Sequence, residues 1–286
     1  MKKNILILGA AGMAGHMVYY YLLGNNNYNL SNLVYHDKIN SESIVCDVRD
    51  QETLSLVIDR VQPDIIINCI GALIDESKWY PENAILLNSW LPHFLVKQCR
   101  RNNAKLIHIS TDCVFNGDKG CYTETDLTDA VDIYGRTKAL GEVINNYDTT
   151  LRVSIIGPEL KSQGKGLFHW YMNQIGEIEG YQNAFWSGIT TYQLAIAIEY
   201  VIEHKLIGLF NVSNGIQISK FDLLHLFKKY FQSSVETINL NKSFRINKSL
   251  QKSQNFDFKI PDYEQMILDL KHRMDNHQAL YKQYYI

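Results

Sequence analysis

Asn4-Ile-Leu-Ile-Leu8-Gly9-Ala-Ala-Gly12-Met-Ala-Gly15 is the stretch on which the fold turns. A short apolar run that stops at a glycine suits a strand buried on both faces of a parallel sheet. The glycines then open a helix predicted over Met13 to Leu23, which ends near Gly24 and the asparagines beyond it. In that setting glycines let the backbone turn tightly and approach a pyrophosphate, while the helix N-terminus offers N–H groups to its charge. The spacing is GxxGxxG rather than GxGxxG. Its place between a first strand and a first helix favours a dinucleotide loop built on Gly9, Gly12 and Gly15 over a plain structural turn.

Outward from this loop the same alternation continues. A strand is predicted at Leu33 to Tyr35, a helix over Gln51 to Val61 and a buried strand at Ile65 to Ile70. A long helix follows from Asn83 to Arg100, which Pro92 kinks or divides. Next come a strand at Lys105 to Ile109, a helix from Tyr134 to Asn145 and a strand at Leu151 to Ile156. Strand and helix in this order mean a doubly wound parallel α/β sheet.

After Gly157 the pattern changes. Glycines and aromatics cluster between Gly164 and Gly188, and a helix runs from Thr190 and Thr191 to about His204. Leu209 to Val212 reads as a late strand, Ser219 with Asp222 caps a helix over Phe221 to Phe231, and Tyr263 to Met274 is helical. The expected organisation is a dinucleotide-binding domain over residues 1–157 and a smaller α/β substrate lobe over 158–286, with about 190–213 returning to the first sheet.

Composition narrows the function classes. The chain has 286 residues, 46% hydrophobic, enough for a sizeable core. Its net charge of −2 and lack of a basic block argue against nucleic acid and anionic membrane as partners. Cys46, Cys69, Cys99, Cys113 and Cys121 form no CxxC pair and are odd in number, which reads as reduced thiols in the cytoplasm. The apolar run Ile5 to Leu8 is too short for a secretory leader, and no stretch approaches the ~20 apolar residues of a membrane span. None of the histidines sits in an HExxH or paired-cysteine setting, so no metal is expected. His16 is expected to pack or cap beside the glycine loop, and His108 to be a core histidine.

Tyr134-Gly-Arg-Thr-Lys138 places a tyrosine and a lysine on one face of a helix, a turn apart. A lone YxxxK is a weak signal. Here Ser110-Thr111-Asp112 stands upstream at the end of a strand, where an open α/β sheet forms its ligand crevice. Together they suit a ketone reductase. Hydride from a nicotinamide makes the carbonyl oxygen negative, Tyr134 donates its phenolic proton to that oxygen, and Thr111 aligns it. Lys138 is expected to draw the phenol's pKa down and to bond the nicotinamide ribose. Moving a tyrosine by ~3 units takes about 4 kcal/mol of differential stabilisation.

Two carboxylates bear on cofactor choice. Asp37 near the end of the second strand suits the ribose hydroxyls of NAD, but His36 and Lys38 beside it tolerate the extra phosphate of NADP, so either cofactor fits. Asp47, followed by Val48, reads equally as a contact to the adenine edge or as a helix N-cap.

GAAGMAG, IIINCIGA, Asn88, STDCVFNG, YGRTKALGE and LRVSIIG occur in the order found in extended short-chain dehydrogenase/reductases, and STDCVFNG with YGRTK and RVS resembles the dTDP-4-dehydrorhamnose reductase family. The likeness is good over roughly residues 1–157 and by pattern beyond. It implies a Rossmann fold and NAD(P)H-dependent reduction at C4 of a nucleoside-diphosphate 4-keto-6-deoxyhexose, in surface polysaccharide precursor synthesis. It implies that Gly12, Met13 and Ala14 touch the pyrophosphate, that Gly71 and Ala72 line the cofactor, and that Thr111, Tyr134 and Lys138 are the active set. Asp112 then faces the sugar. Cys113 stands where the family tends to have an aromatic residue and Ile155 where it has a tryptophan, both near the expected sugar pocket. Reduction of a UDP-N-acetyl-4-keto-6-deoxyhexosamine is therefore a competing reading.

Other readings share the fold. Sugar-nucleotide 4,6-dehydratases resemble one another in an Asp-Glu pair after the threonine, whereas this chain has Asp112-Cys113. Epimerases use the same tyrosine and lysine. The regulatory subunit of methionine adenosyltransferase resembles these reductases and acts by binding a partner. In the second lobe, Tyr181, Phe185 and Trp186 offer aromatic faces to a base or sugar, or pack its core. Arg152 is expected to ion-pair structurally, and Asn88 to support the active site or satisfy a backbone kink. The expected partner is a nucleotide sugar, with a homodimer as a possible assembly.

Overall fold

Ile5, Leu6, Ile7 and Leu8 are fully buried, as a strand covered on both faces must be. They belong to a computed structural model that describes residues 2–285. In chain order its elements begin with β1 (Lys3–Leu8), α1 (Met13–Leu22), β2 (Tyr28–Val34), β3 (Ile44–Val45), α2 (Gln51–Val61) and β4 (Ile65–Asn68). Next come α3 (Ile74–Trp79), α4 (Pro81–Ala84), a π-helical segment (Ile85–Trp90), α5 (Leu91–Arg101), β5 (Lys105–Thr111), α6 (Ile133–Leu140) and β6 (Thr149–Val153). Then follow β7 (Ile155–Ile156), α7 (Leu167–Met172), β8 (Ile175–Trp186), β9 (Ile189–Thr190), α8 (Thr191–His204) and β10 (Gly208–Asn211). The chain closes with β11 (Ile218–Ser219), α9 (Lys220–Tyr230), β12 (Ser234–Asn247) and α10 (Tyr263–Asp275). No helix of the described residues is long and apolar enough to cross a membrane.

Two compact units result. The first takes Met1–Asn116, Leu127–Arg152 and Ala195–Phe210, and the second takes Gly117–Asp126, Val153–Leu194 and Asn211–Ile286. The first is built on a seven-stranded sheet of order β3-β2-β1-β4-β5-β6-β10, with β1, β2, β3, β4 and β5 paired in parallel. The strand order reverses between β1 and β4, the place where such sheets open a ligand crevice beyond their carboxyl ends. Leu6, Leu8, Leu54, Ile58, Ile66, Leu95 and Leu106 pack on one another between the sheet and its helices.

Pro92 divides the long helix as its missing N–H demands. The segment before it, Ile85–Trp90, widens to π geometry, and α5 starts at Leu91 with the proline in its first turn. Gly141 stops α6 at Leu140, earlier than the apolar pattern suggests. A Cβ on Gly141 would stand 1.8 Å from the Asn88 carbonyl oxygen, so the chain must be glycine there and leave the helix.

The second unit carries a three-stranded sheet of order β11-β8-β12 and a short parallel pair, β7 with β9. β8 occupies much of the glycine- and aromatic-rich stretch that shows no strand signal, and β12 pairs with it in parallel through two register shifts. Phe168, Phe227 and Phe231 meet edge to face in the core of this unit.

Candidate active site

The three loop glycines are held by three different constraints. Gly9 has φ +76°, a left-handed conformation that favours glycine. A Cβ on Gly15 would stand 2.2 Å from the Gly9 carbonyl oxygen, so Gly15 is fixed by the packing of α1 on the loop. Gly12 is exposed, and a Cβ there would meet only the Gly9 oxygen, at 3.3 Å. The fold therefore holds position 12 less tightly than positions 9 and 15, and leaves the outer face of the loop open. Gly12 is the N-cap of α1 with no side-chain cap, and the N–H groups of the first turn, at Met13, Ala14 and Gly15, have no intrahelical acceptor. This donor set fits a pyrophosphate. Below it, buried His16 donates from Nδ1 to the Gly12 carbonyl at 2.8 Å. Burial lowers its pKa to about 4, so it is neutral at pH 7.

Thr111 ends β5, and Tyr134 and Lys138 lie on α6. Gly135 explains how they meet: a Cβ there would stand 2.2 Å from the Cys113 carbonyl oxygen. That close approach sets Tyr134 against the Thr111–Cys113 turn. Thr111 also donates to Asp112 at 3.1 Å and accepts from the Cys113 N–H at 3.1 Å. Asp132 caps α6 by accepting from the Gly135 N–H at 2.8 Å. At the other end, Ser89 donates to the Thr137 carbonyl at 2.7 Å and ties α6 to the π segment.

Lys138 is buried and donates from Nζ to the Ile109 carbonyl at 2.7 Å. Burial lowers its pKa to about 8, against the raising influence of Glu142. Tyr134 corrects the expected tuning. Its pKa is raised, first by burial and then by Cys113, the direction opposite to the one expected from a neighbouring lysine.

Asn88 organises the rest of this centre. From the π segment its Oδ1 accepts from the Ala72 N–H at 2.8 Å, while Nδ2 donates to the Ala72 carbonyl at 3.1 Å and to Thr137 Oγ1 at 3.1 Å. Ala72 is thus buried with both backbone groups taken, which corrects its expected place on the cofactor surface. Gly71 beside it is exposed, and a Cβ on it would lie 3.9 Å from Lys138 Nζ. Arg152 is structural, its guanidinium bonding buried Glu142 through Nε and Nη2 at 2.7 Å each, with Ser110 donating to the same carboxylate at 2.7 Å. His108 is buried against Asn68, 3.2 Å from its Nδ1, but Nε2 has no hydrogen-bond partner, so the core histidine is only half satisfied.

Around the expected adenosine site, Asp37 is exposed beyond β2. Asp47 is no N-cap: Asp50 caps α2 by accepting from the Thr53 N–H at 3.1 Å. Asp47 instead pairs with Arg49 at 2.7 Å. The Val48 side chain packs in the core. Asp112 is buried and Cys113 partly exposed beside Tyr134. In the second unit, Ile155 pairs with Ile189 and keeps part of its surface open. Trp186 is 3% exposed, packed against Tyr263 at 5.7 Å between ring centroids. It is a core residue, which corrects its expected role in holding substrate.

The RmlD substrate binding domain family matches residues 1–274. The chain is similar to the dTDP-4-keto-6-deoxy-D-glucose reductase of Streptomyces niveus, 33% identical over 50% of this chain and 47% of that protein. It is also similar to methionine adenosyltransferase 2 subunit beta of Mus musculus, 25% identical over 78% of this chain and 70% of that protein. The chain spans about half the length of the curated reductases it matches. Among solved structures, a dTDP-4-dehydrorhamnose reductase from Bacillus anthracis in complex with NADP superposes with a TM-score of 0.82 and 22% identity, covering 96% of this chain and 100% of that one.

Proposed function

The chain belongs to the dTDP-4-dehydrorhamnose reductase family described by the RmlD substrate binding domain, and from that premise we propose that it reduces the C4 ketone of a nucleoside-diphosphate 4-keto-6-deoxyhexose with NADPH or NADH. The observation that carries the proposal is Tyr134 set against the Thr111–Cys113 turn by Gly135, with Lys138 buried on the same helix face and Gly71 beside its ammonium. A bound nicotinamide supplies hydride to the carbonyl carbon. Gly12 and the first turn of α1 hold the dinucleotide's pyrophosphate. Thr111 positions the carbonyl oxygen, and Tyr134 gives it a proton as charge develops there. That phenol is protonated at neutral pH, the state a proton donor needs, and burial moves its pKa further up.

Cys113 supplies no second acid for dehydration, so an already oxidised sugar suits the site better than a 4,6-dehydration. The second unit is assigned the sugar nucleotide. Assembly as a homodimer and a place in cytoplasmic surface polysaccharide precursor synthesis belong to the same reading. The test is oxidation of NADPH or NADH followed at 340 nm on adding dTDP- or UDP-linked 4-keto-6-deoxy sugars, with product identified by mass. Turnover is expected with at least one of them. Saturable dinucleotide binding without turnover on any sugar would overturn the reductase reading in favour of a non-catalytic subunit.

A further inference from the structure

The first unit holds a cavity at the end of its sheet away from the glycine loop. β1, β4 and β5 run parallel. Their carboxyl ends lead to Gly9, Gly71 and Thr111, and their amino ends begin at Lys3, Ile65 and Lys105. A space of about 270 Å³ lies against those amino ends, bounded on one side by α8 and the turn that follows it. Its floor is aliphatic, made by the buried side chains of Ile65, Leu106, Val201 and Ile202. Its rim is cationic, with Lys2, Lys3, Lys105 and Lys205 set against one carboxylate, Asp64.

Asp64 is already engaged, accepting the Asn4 N–H at 2.7 Å. Among the described residues none of the four lysines joins an ion pair, and Lys3 reaches only the Ile202 carbonyl, at 3.3 Å. Like charges around an opening with apolar walls focus a positive field into it, and a bound anion relieves their mutual repulsion. Lys205 is a second, independent sign. It stands just past the end of α8 with φ +52°, where the Leu206 N–H closes the helix on the Val201 carbonyl at 3.2 Å. Glycine is the usual residue at such a left-handed stop, and any side chain there is strained. Glycine would serve the fold better, whereas lysine puts a cation on the rim. The lining also limits the ligand. No aromatic ring of the described residues faces the space, so nothing there stacks on a base or a sugar. The volume lies just under the ~300–1,000 Å³ of pockets for drug-sized molecules.

We propose that this cavity binds a small aliphatic acid, its alkyl chain on the floor between Ile65 and Ile202 and its carboxylate among Lys3, Lys105 and Lys205. The site lies apart from the reaction centre and does not depend on the proposed function. Ligand-observed NMR titration of the full chain with butanoate, hexanoate, octanoate, octylamine and inorganic phosphate tests it. The acids should bind saturably, by up to about fourfold more tightly for each methylene added until the cavity is full, and more weakly at high salt. Lys105→Gln and Lys205→Gly should each weaken octanoate by about two- to fivefold, the range of an exposed ion pair, and the double variant by about the product. Lys205→Gly should also melt later, because glycine relieves the left-handed backbone, so its loss of affinity is not a loss of fold. Absence of saturable binding by any of the acids overturns the site. So does octylamine or phosphate binding as tightly as octanoate, or an affinity for octanoate unmoved in the double variant.

Discussion

Tyr134 and Lys138 are each pushed by burial toward the neutral form, and the two effects act on different properties. For Tyr134, neutral means protonated and ready to donate. Tyr134→Phe should therefore lower kcat by ~10²–10⁴-fold with dinucleotide affinity intact, and stopped-flow or steady-state rates near wild type would remove it from the reaction. For Lys138, the ammonium is lost as pH rises through about 8 rather than its ordinary 10.5. Between those values the unfolded chain holds the proton and the folded chain does not, so this group adds stability as pH rises. Activity that needs the ammonium moves the other way and should fall above pH ~8. Lys138→Met should abolish turnover and flatten the rise in chemically measured stability across that window; a rise unchanged in the variant would assign it to another group. Thr111, Tyr134 and Lys138 were legible because a strand-end hydroxyl and an i, i+4 pair are local patterns. The part played by Asn88 was not, since it depends on the π turn before Pro92 bringing one side chain to both Ala72 and Thr137.

Among elements, β1, α1 and α2 were legible nearly to the residue, because a buried run ending in glycine and a 3.6-residue apolar period are strong signals. β8 and β12 were not. Glycines and glutamates interrupt the apolar residues along Ile175 to Gly180, so only Ile178, Ala184 and Trp186 show a buried apolar face, and the register shifts of β12 break its own alternation. The glycine loop gives the sharpest test at this scale. Gly12→Val should cost dinucleotide affinity with little loss of stability, since nothing but the Gly9 oxygen lies near the new side chain. Gly15→Ala should cost stability by ~1–3 kcal/mol or more, since even a methyl group meets the Gly9 carbonyl and forces α1 off the loop. Thermal melts with and without NADPH separate the two. A Gly12→Val protein that melts early, with its affinity for NADPH preserved, would mean that this turn serves the fold and not a ligand.

For the molecule as a whole, the reaction needs more than the centre on α6 and β5. Those residues address a carbonyl oxygen and do not distinguish one ketone from another. Discrimination has to come from contacts made elsewhere to the nucleotide, which the proposed function assigns to the second unit. Binding energy gained on a remote, unreacting group holds the reacting one in place, so removing that group lowers kcat as well as affinity. A free 4-keto-6-deoxyhexose should therefore be reduced with kcat/KM lower by at least ~10³-fold than its nucleotide-linked form, and adding dTDP or UDP in trans should not restore it, because the link itself carries the orientation. The measurement is initial NADPH oxidation with free and linked sugars at matched concentrations. Equal kcat/KM for the two would mean that the α6 centre works alone and that the second unit has another task.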